Sequence, residues 1–86
     1  MAKYKITIKK SAVKELEEIP KKELRKIIKR IRSLAQNPRP QGSQKLSSRN
    51  RLRIRQGDYR VVYSVDDKDL IVDIVKIGHR REIYRP

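Results

Sequence analysis

Apolar residues recur along the chain with two different periods, and the changes between them outline the elements. From Lys3 to Lys9, Tyr4, Ile6 and Ile8 alternate with Lys5, Thr7 and Lys9, the period of a strand buried on one face. Ser11 stands where it can cap a short helix carrying Val13, Leu16 and Ile19 on one side. Pro20 suits the first turn of a second helix, with Glu23 near its positive end. Leu24, Ile27, Ile28, Ile31, Leu34 and Ala35 follow at steps of three and four, the clearest helical stripe in the chain. Lys22, Arg25, Lys26, Lys29, Arg30 and Arg32 form its wet face. Asn37-Pro38 stops that helix, and residues 38–50 (PRPQGSQKLSSRN) have the composition of a loop.

The period then returns to two. Leu52 and Ile54 alternate with Arg51, Arg53 and Arg55, and Gly57-Asp58 reads as a two-residue turn. Tyr59, Val61, Tyr63 and Val65 alternate with Arg60, Val62 and Ser64 on the returning strand. Residues 66–69 make a second turn, and Leu70 to Ile77 is a longer apolar strand interrupted by Asp73 and Lys76. Gly78 ends it before a charged tail, His79 to Pro86. The predicted order is β-α-α-β-β-β: an α+β domain with an N-terminal strand and a helical hairpin packed on one face of a small antiparallel sheet. Residues 1–86 are read as a single domain, since the length leaves no room for a second core.

Charge changes the picture most. Lys and Arg number 24 against 10 Asp and Glu, leaving a formal +14 at neutral pH. Such an excess repels itself in a compact state and calls for a polyanion or an acidic protein, nucleic acid first. Hydrophobic residues make up 36% of the chain, and their periodicity argues against disorder. No apolar run approaches the roughly 20 residues of a membrane span, and the N-terminus has no signal-peptide segment. A cytoplasmic location without membrane attachment is the expectation. The chain has no Cys and one His, so thiolate sites, a Cys nucleophile and a two-His ribonuclease mechanism within one chain are excluded. No metal or other cofactor is expected. Asp66, Asp67 and Asp69 read as turn residues around Lys68.

If Gly57-Asp58 is the turn, Ile54 faces Val61 and Leu52 faces Tyr63 on the covered side. On the other side Arg55 faces Arg60, Arg53 faces Val62 and Arg51 faces Ser64. Two arginines opposite one another weaken a hairpin, and no shift in protonation can relieve them. A bound phosphate can, because the guanidinium fork matches its oxygens. His79, Arg80 and Arg81 follow the third strand, and the phenol of Tyr84 can stack on an unpaired base. Lys26, Lys29 and Arg30 on the helix, with Lys45, Arg51 and Arg81, are candidates for RNA-backbone contact. The bland alternative is that these cations form solvated faces.

The run Leu52 to Tyr63 (LRIRQGDYRVVY), followed by Ile74 to Tyr84 (IVKIGHRREIY), resembles the RelE branch of the RelE/ParE toxin superfamily. So does the whole layout, with its Asn-Pro-Arg-Pro stop, Lys45-Leu46 before the hairpin and basic tail. The resemblance implies the toxin of a type II toxin–antitoxin pair, held in a tight heterotetrameric complex with its antitoxin. It further implies a ribosome-dependent, metal-independent endoribonuclease that cuts mRNA in the A site. The family's site falls on Arg53, Arg55, Arg60, Arg80 and Tyr84, although a shorter hairpin also allows Arg51 and Arg53 as the first pair. Arg55 stands where some relatives have a Lys able to serve as base, and a guanidinium is a poor base. His79, the ribosome or orientation alone is left to fill that part. Two other functions remain: a ParE-like inhibitor of DNA gyrase without nuclease activity, and a plain RNA-binding module.

Overall fold

The computed structural model describes residues 3–46 and 50–79. Within them the chain forms β1 (Lys5–Ile8), α1 (Lys10–Glu17), α2 (Lys21–Ser33), β2 (Gln44–Lys45), β3 (Arg51–Gln56), β4 (Tyr59–Asp66) and β5 (Ile71–His79). The strands make one sheet in the order β1-β5-β4-β3-β2. The α+β architecture is as expected, with two differences. The sheet is mixed, because β1 lies parallel to β5. It also gains an edge strand, β2, from within the loop-like segment, where Gln44 and Lys45 pair with Arg53 and Leu52.

The β3–β4 hairpin turns at Gly57, whose φ of +59° suits glycine, and its register is the one the alternation predicts. Ile54, Val61 and Tyr63 face the helices and are essentially inaccessible, together with Val72, Ile74 and Ile77 of β5. Ile74 and Ile77 are three apart, so a strictly alternating strand would turn one of them outward. A bulge opposite Val62/Tyr63 absorbs the extra residue, and Ile77 and His79 resume the inward positions.

The helices close this face with Ala12, Leu16, Ile19, Ile27, Ile31 and Leu34. In α1 the buried side chains are Ala12 and Leu16, whereas Val13 is 41% exposed, contrary to the expected stripe. Lys9 is the N-cap residue of α1 and makes no side-chain cap, so Ser11 lies inside the helix rather than capping it. In α2, Pro20 is the N-cap residue rather than part of the first turn, Glu23 sits in that turn, and Arg30 and Arg32 sit in the last, three charges favourable to the helix dipole.

β1 covers only Ile71 to Ile74 of β5, and α1 takes over along the uncovered half. There Glu15 Oε1 accepts the Ile77 N–H at 3.0 Å, and Oε2 lies 3.7 Å from Lys76 Nζ. An edge N–H that no strand reaches is thus satisfied by a helix carboxylate.

A polar staple fixes the other end of the sheet. Tyr63 donates its buried hydroxyl to the Pro38 carbonyl at 2.7 Å. Arg39 grips Asp67 with two hydrogen bonds of 3.1 and 2.8 Å, and Tyr4 donates to the same carboxylate at 2.7 Å. The Asp66 carboxylate accepts the N–H groups of Lys68 and Asp69, so the acidic run is a turn. Arg39 and then Tyr4 hold the Asp67 carboxyl below the ordinary value of 3.8. The stabilisation is therefore complete above that value and is lost as pH falls through the lowered one. A carbon-13 titration should place the Asp67 midpoint below 3.8, and Arg39→Ala should move it back up.

Candidate functional site

The sheet face away from the core gathers the hairpin's positive charge. Arg55 pairs directly with Arg60, Arg53 with Val62, and Arg51 with Ser64. On the far side of β4 the partner of Arg60 is Gly78, which places no side chain in the row. Arg60 is 5% exposed and is the buried charged residue among those described. Its head is thereby held by the fold rather than by solvent, in keeping with the tolerance of a weakly hydrated guanidinium for burial. Arg55 beside it is exposed. Arg53 donates through NH2 to Gln44 Oε1, so the short β2 strand anchors the third guanidinium.

Three arginines on adjacent strand positions can contact one anion from several sides. Directly opposed side chains have Cβ atoms roughly 4.5–5.5 Å apart, so Arg55 and Arg60 share a small volume. A phosphate placed there converts their repulsion into charge-assisted hydrogen bonds.

Other expected site residues are placed elsewhere. His79 pairs with Tyr59, one residue along each strand from Gly78 and Arg60, so its ring lies on the opposite face from the arginines. It stands edge-on to Tyr59 with ring centroids 5.7 Å apart, in a cleft of about 180 Å³ shared with Glu15 and Glu18. The expectation that groups His79 with the arginines is not met, because strand alternation sends neighbouring side chains to opposite faces. Lys26, Lys29 and Arg30 line a shallow depression with Ser33 and Gln56, on the helix side. Lys45 pairs with Leu52 and shares its side of the sheet, in a 240 Å³ recess with Arg39, Asn50 and Asp67. Arg51 stays on the arginine face, next in line after Arg53. Arg80, Arg81 and Tyr84 lie outside the described residues. Among the described residues no three His, Cys, Asp or Glu side chains stand close enough to hold a metal ion. None of the helices there is long and apolar enough to cross a membrane.

Sequence reasoning had no means of finding Glu15 or Gln44. Both act through backbone or side-chain contacts that depend on where α1 and β2 come to rest.

This architecture and its sequence have known counterparts. The family model described as ParE toxin of the type II toxin–antitoxin system, parDE, matches residues 6–84. The chain belongs to the RelE/ParE family of type II toxins. Two relatives decide the branch. The RelE1 protein of Methanocaldococcus jannaschii is 32% identical, over 96% of this chain and 97% of its own length. The toxin RelE of Mycobacterium tuberculosis is 32% identical, over 95% of this chain and 87% of its own. In structure, the RelE of Pyrococcus horikoshii, solved in complex with RelB, superposes with a TM-score of 0.82 at 35% identity, covering 93% of this chain and 97% of that one. Although the family model is named for ParE, these relatives are RelE proteins, and the ParE-like alternative is not favoured.

Proposed function

We propose that this RelE-type toxin is a metal-independent endoribonuclease that cuts mRNA in the ribosomal A site, and that a cognate antitoxin neutralises it. The observation that carries this reading is the facing pair Arg55 and Arg60, with Arg53 beside them on one sheet face. In the proposed reaction the ribose 2′-oxygen attacks the adjacent phosphorus and loses its proton. The bond from phosphorus to the 5′-oxygen breaks, and that oxygen takes up a proton. The products are a 2′,3′-cyclic phosphate and a free 5′-hydroxyl. Negative charge builds on the phosphorane oxygens, and Arg53 and Arg60 are assigned to stabilise it. Arg80 is assigned to the leaving oxygen, and Tyr84 to stacking a base so that attack is in line.

No guanidinium on this face can accept the 2′-proton, and His79 is turned to the other face. The acceptor is therefore assigned to the ribosome or solvent, which accounts for a need for the ribosome. The location proposed is the cytoplasm, where ribosomes are. A partner like the RelB of the Pyrococcus horikoshii relative is proposed for the +14 chain, acidic enough to offset the charge.

Primer extension on a translating message tests the reading, with A-site cuts expected for the wild type. His79→Ala would lose about 10²–10⁴-fold were His79 the base, and is expected to lose less than about threefold. Equal cutting of naked RNA would contradict ribosome dependence. Trapped gyrase–DNA complexes with no cuts would favour the ParE-like alternative.

A further inference from the structure

The row beside the Arg55–Arg60 pair runs from Arg53 through Val62 to Lys76. Around Val62 the arginine face sinks into a depression of about 470 Å³, lined by Ser11, Lys14, Arg51, Val62, Val75 and Lys76. Two features described above create it. The bulge in β5 adds an extra residue between Ile74 and Lys76, bringing Val75 beside Val62. The early end of β1 lets α1 form the far wall with Ser11 and Lys14.

Its chemistry is divided. Among the described residues, the floor is two β-branched apolar side chains, and the rim is three cations and a hydroxyl. Among the described residues Glu15 is the one carboxylate in the lining, and it is already engaged by the Ile77 N–H and by Lys76. An apolar floor under a cationic rim suits a flat base attached to a phosphate. The depression is continuous with the arginine row, and same-face rows along a strand are about 7 Å apart. That step is comparable to one backbone repeat of an extended RNA strand. A second anion on Lys14 and Arg51 is thus in reach of the strand whose phosphate lies on Arg55 and Arg60. The volume also falls within the roughly 300–1,000 Å³ usual for small-ligand sites.

We propose that this depression is a second nucleotide subsite, which holds the nucleotide next to the scissile phosphate with its base over Val62 and Val75 and its phosphate on Lys14 and Arg51. The inference rests on reading Arg53, Arg55 and Arg60 as an RNA phosphate site. It adds a residue from α1 to recognition by the hairpin.

Toxin freed of antitoxin is titrated into a labelled, 2′-O-methylated RNA oligonucleotide that cannot be cut, and anisotropy is read across a salt series. For Lys14→Ala/Arg51→Ala, Kd is expected to rise at least about tenfold at low salt. The log–log salt slope should become shallower by about 1.4, because each single-strand phosphate contact contributes about 0.7. Lys14→Glu, at one exposed helix position, should weaken binding in the same direction. On ribosomes the loss should appear in the half-saturating toxin concentration more than in the rate at saturation. Unchanged Kd and slope in both variants would overturn the subsite, as would weakened antitoxin binding with RNA binding intact. Failure of the wild type to cut on ribosomes would remove the nuclease reading instead, while the oligonucleotide titration still decides the subsite.

Discussion

Arg60→Ala is expected to slow the proposed A-site cutting by about 10²–10³-fold, the usual cost of removing one preorganised donor from a developing oxyanion. The large effect follows from where Arg60 sits. The residue is 5% exposed, so the fold sets its position before substrate arrives. Rates by primer extension at saturating toxin measure the loss, and a thermal melt of the same variant separates it from unfolding. Arg55→Ala provides the contrast. It should also reduce cutting, yet it removes a like charge directly opposite Arg60, worth roughly 0.2–1 kcal/mol to the hairpin. At about 4–8 °C per kcal/mol for a domain of this size, the melting temperature should rise by roughly 1–8 °C. A lower melting temperature for Arg55→Ala would mean that the facing pair is not held together against repulsion.

Tyr63→Ala should cost about 3–5 kcal/mol, a large part of the roughly 5–15 kcal/mol that keeps a small domain folded. The ring is wholly inaccessible between the helices and the sheet, and its hydroxyl anchors Pro38. Tyr63→Phe isolates the second contribution. It keeps the ring but leaves a buried carbonyl without its donor, for roughly 1–3 kcal/mol. Chemical denaturation of both variants measures the difference. The pH dependence gives an independent check. Burial raises the Tyr63 pKa above its ordinary 10.0, so the folded state disfavours the phenolate. That contribution is intact below pH 10 and is lost as pH rises through the raised value. The alkaline decline in stability should be shallower in Tyr63→Phe.

The hairpin could be read from sequence because its information is local. Gly57 supplies the turn, period-two alternation decides the faces, and Arg55 opposite Arg60 follows from those two facts alone. The stripe on α2 is equally local. What escaped depends on partners distant in the chain. The pattern around Ile6 and Ile8 announces a strand but not its neighbour, so the parallel pairing with β5 was not foreseeable. β2 is two polar residues recruited by the edge of β3, with no periodicity of its own. Ala12 takes the core position in place of Val13, because Ala12, Leu16 and Ile19 fall at steps of four and three on the helix face that is buried. His79 is instructive in another way. Its adjacency in sequence to Arg80 suggested a common site, whereas its pairing with Tyr59 sends its ring to the helix side. The three-residue interval between Ile74 and Ile77 was the available signal for the bulge that sets this phase.

The carboxylate of Glu15 on the Ile77 N–H bears on how the chain behaves in a crowded solution. A sheet whose strand next to the edge ran bare along half its length would invite copies to add to one another edge to edge. Here that half is shut by a helix side chain. The rims that remain are β1, four residues long, β2, two residues long, and the end of β3 that β2 does not reach. Lys5 and Lys45 stand on those rims, and both brevity and lysine discourage strand addition. Resistance to self-association is thus built into the sheet borders, apart from the face that carries the arginines.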